Sequence, residues 1–200
     1  NEDKMIAREE TMESTIMQDE MYKVMPVLDP DGSDSARLDN CLEFLVLNGI
    51  PLPMAVMITI PEPWENDRAM SQEKKDFYQY YATMMEPWDG PASILFTDGE
   101  LMGAVLDRNG LRPSRYYITD DDYLVLSSEV GVLDVDPSKI VKKDRLRPGK
   151  MLLVDTVNGR LISDEEIKEK YALAKPYGEW VDSNLVHLAD LKIPNIRVQE

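Results

Sequence analysis

Residues 92–107 read Ala-Ser-Ile-Leu-Phe-Thr-Asp-Gly-Glu-Leu-Met-Gly-Ala-Val-Leu-Asp, two short apolar runs joined by Asp98-Gly99. An Asp-Gly pair tolerates the positive φ angles of a two-residue hairpin turn, so strands are expected over 92–97 and 100–107. Downstream, residues 116–119 and 123–128 flank the acidic turn Asp120-Asp121-Asp122, and residues 151–155 and 160–162 flank Asn158-Gly159. Both have the form of further hairpins. Ser163 and Glu166 have capping-box spacing and open a short helix to about Leu173. Upstream the period changes from two to 3.6. Leu38, Cys41, Leu42, Leu45 and Val46 share one helical face until Asn48-Gly49, Pro53 opens a second helix to Ile60, and Ser71 caps a third that carries Phe77, Tyr78, Tyr81, Met84 and Met85 before Pro87. Met5, Arg8 and Met12 lie at helical spacing near the start, and Met21, Val24 and Met25 form another short stripe. Helices, then an antiparallel meander, then a mixed tail make this an α+β chain.

The 200 residues carry 38 acidic and 22 basic side chains, a formal net charge of -16. That balance opposes a phosphate-backbone binder, so no nucleic-acid partner is expected. A single cysteine, Cys41, and a single histidine, His187, leave no disulfide framework, no Cys-rich metal site and no His-based triad. The most apolar region, residues 41–60, is interrupted by Asn48-Gly49, Pro51 and Pro53, so no membrane span is expected and the cytoplasm is the expected location. Cys41 falls in the apolar stripe of its helix, where a thiol stays protonated and inert.

Two stretches offer chemistry. Ser33-Asp34-Ser35 begins a helix, and its first reading is an N-cap, with the carboxylate complementing the helix dipole. The alternative turns Asp34 toward a pocket, where it accepts the ammonium of an amino acid while Ser33 and Ser35 hold it still. The second stretch is Asp-Arg-Asn-Gly-Leu-Arg-Pro, residues 107–113. Asp107 with Arg108 as an ion pair, Asn109-Gly110 as a left-handed turn and Pro113 as a stiff entry to the next strand account for most of it. Arg112 is less well explained, because a second guanidinium in a loop gains little unless a carboxylate or carbonyl meets its planar fork.

Residues 86–92 (Glu-Pro-Trp-Asp-Gly-Pro-Ala), 96–99 (Phe-Thr-Asp-Gly), 106–113, 128–131 (Ser-Glu-Val-Gly), 147–149 (Arg-Pro-Gly) and 176–180 (Pro-Tyr-Gly-Glu-Trp) together closely resemble the amino-terminal glutamine amidotransferase domain of glutamate synthase large chains. The resemblance runs in order from about Ser33 to Trp180. It implies an N-terminal-nucleophile hydrolase fold, an αββα sandwich of antiparallel sheets between helical layers. In that fold a chain-starting cysteine attacks the side-chain amide of L-glutamine, and the released ammonia aminates 2-oxoglutarate at a second site. It also implies FMN and an iron–sulfur cluster in the parent enzyme, with no cofactor bound by these residues.

Residue by residue, the carry-over is partial. The chain opens on Asn1, not cysteine, and contains no His-Asn-Gly-Glu stretch, the family's source of oxyanion donors. Asp34, flanked by Ser33 and Ser35, matches the family's clamp for the glutamine α-ammonium. Arg108, Asn109, Gly110, Arg112 and Pro113 are expected to form a structural loop. The chain is therefore expected to be the carboxy-terminal portion of the amidotransferase domain over residues 1–175, inactive alone, with 176–200 as a linker toward the next domain. Its partners would be L-glutamine and either the remaining domains of the parent or a chain carrying the catalytic cysteine. The alternatives are a non-catalytic glutamine- or glutamate-binding module and one half of a split amidotransferase.

Overall fold

A computed structural model describes residues 12–191, so the Met5 and Arg8 stripe and the last part of the expected linker lie outside the described residues. Three helices precede the sheets: α1 (Asp34–Leu47), α2 (Leu52–Thr59) and α3 (Gln72–Ala82). Ser33 caps α1 by accepting from the Ala36 amide, and Ser71 caps α3 by accepting from Lys74. The Met21 stripe forms a 3-10 turn, Gln18–Lys23, with no buried residue.

The strands divide between two antiparallel sheets. The first contains β1 (Ser93–Thr97), β2 (Leu101–Leu106), β6 (Met151–Asp155) and β7 (Arg160–Ile162) in the order β1-β2-β6-β7. The second contains β3 (Arg115–Thr119), β4 (Leu124–Ser127) and β5 (Ile140–Arg145) in the order β4-β3-β5. The expected hairpins are all present, but a plain meander is not. After β2 the chain leaves for the second sheet and returns only at β6, which pairs with β2. Strand β5 has no counterpart in the sequence reading.

Alternation along the strands assigns the faces. Phe96, Val105, Met151 and Leu153 join the helices in one core, with Leu38, Met57, Phe77 and Ile167 among its buried members. The alternate residues Ala104, Leu106 and Leu152 meet Tyr116 and Leu146 of the second sheet in a smaller core. The described residues thus stack as helices, sheet, sheet, in agreement with the expected α+β fold. Phe96 lies opposite Gly103 across the β1–β2 pair, and a Cβ at Gly103 would sit 2.1 Å from the ring.

Two helices follow β7. In α4 (Asp164–Ala172), Ser163 accepts from the Glu166 amide, while Glu166 turns its carboxylate to Arg160 at 2.6 Å. Helix α5 (Tyr177–Asn184) occupies the start of the stretch expected to be a linker, residues 176–200. Tyr177 is fully buried against Phe77, Tyr80 and Tyr81 of α3. Gly178 lies so close to α3 that a Cβ there would meet Asp76 at 2.4 Å. The aromatic face of α3 supplies the order that local periodicity lacks. Among the described residues no helix is long and apolar enough to cross a membrane.

Candidate functional site

The loop ahead of α1 is held by the helix it precedes. Arg37, one turn into α1 and almost fully buried, donates from Nε to the Asp29 carbonyl at 2.9 Å and from a terminal nitrogen to the Pro30 carbonyl. Asn40, another turn along, accepts from the Asp29 amide at 3.0 Å. Asp29 in turn accepts from the Asp31 amide through its carboxylate and from the Gly32 amide through its carbonyl. This clamp sets where Ser33-Asp34-Ser35 emerges. There Ser33 Oγ accepts from Ala36 at 3.3 Å and lies 3.1 Å from Ser35 Oγ, while Asp34 Oδ1 accepts from the Ser35 amide at 2.7 Å. The serine takes the capping role, and the Asp34 carboxylate stays exposed with acceptor capacity left.

The loop over residues 107–113 has a different anchor from the expected ion pair. The buried Asp107 carboxylate accepts three backbone amides, Ala92 at 3.0 Å on one oxygen and Asn109 at 2.9 Å and Gly110 at 3.1 Å on the other. Arg108 pairs instead with Asp89 at 3.1 Å, a half-exposed contact of small energetic weight. Gly110 has φ +59°, and a Cβ would lie 2.4 Å from Pro148 Cγ. Gly110→Ala is therefore expected to destabilise the chain by about 1–2 kcal/mol, from the left-handed conformation alone. Urea denaturation checks this, and an unchanged midpoint would mean the loop is free to shift away from Pro148.

Arg112 makes no hydrogen bond or ion pair among the described residues. With Pro113 it lines a cleft of about 670 Å³ whose walls also include Asp34, Ser35, Trp88, Ser127 and Ser128. The structure so brings together two stretches that lie nearly eighty residues apart in sequence, placing a carboxylate and a guanidinium on one concavity. Ser33 belongs to the capping network behind it. Arg108, Asn109 and Gly110 form the outer turn and are not in the cleft wall.

The sequence offers Asp107 as an ion-pair partner for Arg108 and not as the anchor of three amides, and it does not mark Arg37 at all. Asp107 is recognisable as an Asx-type turn residue ahead of Asn-Gly, but nothing local marks the Ala92 amide as its third donor. Arg37 gives no such signal, since an arginine three residues into a helix is ordinarily solvated.

Cys41 is buried in α1, with Met85 Sδ 3.7 Å from its sulfur, and burial pushes its thiol up to about 11. It is a core residue, not a nucleophile at neutral pH. An iron–sulfur cluster requires several thiolates. These residues do not fit one: Cys41 is the sole cysteine of the sequence, and no group of three metal-ligating side chains occurs among the described residues.

Comparison with known proteins identifies the family of the fold. The family model described as glutamine amidotransferases class-II matches residues 1–180. The chain is 50% identical over 184 residues to glutamate synthase [NADPH] large chain of Bacillus subtilis (strain 168), covering 92% of this chain and 12% of that protein. It is 47% identical over 189 residues to glutamate synthase [NADH] of Schizosaccharomyces pombe (strain 972 / ATCC 24843), covering 94% and 9%. It is 45% identical over 183 residues to the chloroplastic ferredoxin-dependent glutamate synthase of Oryza sativa subsp. japonica, covering 90% and 11%. The chain thus spans about a tenth of the length of these relatives. The paired antiparallel sheets, the helical layer and a match over nine-tenths of the sequence establish that the chain belongs to the class-II glutamine amidotransferases.

Proposed function

We propose that this chain is part of the domain of a glutamate synthase that hydrolyses L-glutamine, and that Asp34 holds the α-ammonium of that substrate. The observation that carries the reading is the shared cleft: Asp34 and Ser35 line it together with Arg112, within a class-II amidotransferase fold. A zwitterionic amino acid is best held by charges of both signs in one concavity, and an exposed carboxylate fixed by a helix N-terminus is a preorganised partner for an ammonium. The loop over residues 107–113 gives this wall its shape through Asp107 and Gly110.

Amide hydrolysis needs a nucleophile, donors for the oxyanion and a route for the leaving ammonia. Cys41 cannot serve as the nucleophile, so the attacking thiol is assigned to a part of the parent enzyme outside these 200 residues. The ammonia is used in the reductive amination of 2-oxoglutarate, and the FMN and iron–sulfur cluster of that step are assigned to other domains. The burial of Tyr177 and Val181 against the body of the fold supports a connection to the next domain that begins after Asn184, not at the expected residue 176.

The test is a glutamate-release assay. The full-length enzyme is expected to release glutamate from glutamine, and the 200-residue chain alone to release none. Turnover by the chain alone would overturn the assignment of the nucleophile. A full-length enzyme that bound glutamine without hydrolysing it would favour a sensing module instead.

A further inference from the structure

Three asparagines in the chain precede glycine: Asn48, Asn109 and Asn158. An Asn-Gly pair is open to self-modification, because a glycine nitrogen with no Cβ beside it can reach the neighbouring side-chain carbonyl. The attack needs that amide N–H free of a hydrogen bond and room for the asparagine side chain to turn. The fold closes two of the three pairs. Gly49 donates to the Val46 carbonyl at 2.9 Å, while the Asn48 side chain accepts from Ser14 Oγ and donates to the Phe44 carbonyl at 2.8 Å. Gly110 donates to the Asp107 carbonyl at 3.0 Å and to its carboxylate at 3.1 Å, and packs against Pro148. Gly159, in the turn between β6 and β7, differs. Its amide makes no hydrogen bond among the described residues, and no atom beyond its chain neighbours lies within 4 Å of where a Cβ would sit. Asn158 and Gly159 are both exposed. One restraint remains on the Asn158 side chain, the 2.7 Å hydrogen bond from Nδ2 to Asp155 Oδ2. It lies at the surface, where water replaces it at small cost.

We propose that Asn158 is a site of spontaneous deamidation, and that the fold selects it over Asn48 and Asn109. Gly159 N attacks Asn158 Cγ as its proton passes to water, and the Cγ–Nδ2 bond breaks, that nitrogen taking up a proton and leaving as ammonia. Water then opens the succinimide at either carbonyl, giving aspartate or isoaspartate, so one water is consumed and one ammonia released. The product changes the turn. Asp155 is held below its ordinary value first by the Asn158 side-chain hydrogen bond, with the Asn158 and Val157 amides adding to it. Deamidation replaces that side-chain donor with a second carboxylate beside the first. The isoaspartate form also lengthens the backbone by a methylene, in a hairpin whose second strand, β7, has only 3 residues. None of these residues lines the cleft that holds Asp34 and Arg112, so the site is separate from the proposed glutamine site.

The full-length protein tests this. It is incubated folded at mildly alkaline pH and digested, and the three Asn-Gly peptides are followed by mass spectrometry for the exchange of NH2 for OH, with chromatography separating isoaspartate from aspartate. Asn158 is expected to convert about ten-fold faster than Asn48 and Asn109, the factor that one intact amide hydrogen bond supplies. In urea the three rates should converge, since the fold is what separates them. Gly159→Ala should remove the lead of Asn158, because a methyl group obstructs the attacking nitrogen. Equal rates in the folded protein would overturn the proposal, as would earlier conversion of Asn48 or Asn109, or an Asn158 that converts in urea and stays intact when folded. A lead equally large in urea would show that neighbouring residues, not the fold, select the site. Aspartate formed without isoaspartate, or a lead that survives Gly159→Ala, would replace ring closure by direct hydrolysis and overturn the step as written.

Discussion

Replacing Lys168 with methionine is expected to cost the folded chain about 3–5 kcal/mol, the usual range for removing one member of a buried ionic group. Lys168 is 2% exposed on α4, and its Nζ lies 3.0 Å from Glu62, 2.8 Å from Asp164 and 2.6 Å from the Gly149 carbonyl. Glu62 and Asp164 are themselves buried. Glu62 also accepts from the Tyr78 hydroxyl at 3.0 Å, and Asp164 accepts from the Met151 amide and Lys150, each at 2.8 Å. One ammonium thus ties the end of α2, helix α3, helix α4 and the loop entering β6. Methionine fills much the same volume but leaves two buried carboxylates facing each other and a carbonyl without its donor.

The same network predicts an acid response. Burial by itself would raise the Asp164 carboxyl, but the Lys168 charge and the hydrogen bonds from Lys150, Lys168 and Met151 outweigh it and hold the group below its ordinary value. A depressed carboxyl stabilises the fold fully above its unfolded value of about 3.9, and that contribution is lost as pH falls toward the folded value. Without Lys168 the depression loses its largest lowering cause and keeps only the Lys150 and Met151 hydrogen bonds against burial, so the acid-unfolding midpoint of Lys168→Met should move upward. Urea denaturation at neutral pH and an acid titration by circular dichroism measure both effects. A loss below about 1 kcal/mol would mean that water reaches the site and solvates the two acids.

Asp34→Asn is expected to raise the KM for glutamine in the full-length enzyme by about 10- to 150-fold. That is the equivalent of one charge-assisted hydrogen bond of roughly 1.5–3 kcal/mol. Asparagine keeps the size and leaves the Ser33 cap intact, so thermal stability should fall only by the helix-dipole contribution of about 0.3–1 kcal/mol. Activity driven by free ammonia should not change, because that route bypasses the cleft. An unchanged KM with a lowered melting temperature would reduce Asp34 to a helix-dipole residue. The pattern of a large KM effect with intact ammonia-driven turnover is one that a purely structural role does not produce.

Strand β5 shows one limit of reading this chain locally. Ile-Val-Lys-Lys-Asp-Arg carries four successive charges, so no period of two is visible. An edge strand with five of its six residues exposed has no apolar face to advertise. Helix α5 is a second case: Tyr-Gly-Glu-Trp-Val-Asp-Ser-Asn contains a glycine and poor helix formers, and it is ordered by aromatic contacts with α3. The Asp107 carboxylate is a third, since its Ala92 donor lies fifteen residues upstream and arrives only through the β1–β2 pairing.

Sequence alone determined the helices with their serine caps, the hairpin turns at Asp98-Gly99 and Asn158-Gly159, the inert Cys41 and the resemblance to an amidotransferase. Each of these depends on residues within a few positions of one another, or on long literal matches. Tertiary structure alone decided which strands belong to which sheet, that Lys168 is buried among acids and that Arg112 and Asp34 line one cleft. Those features depend on pairings between distant segments, where packing and charge burial, not local periodicity, set which residues meet.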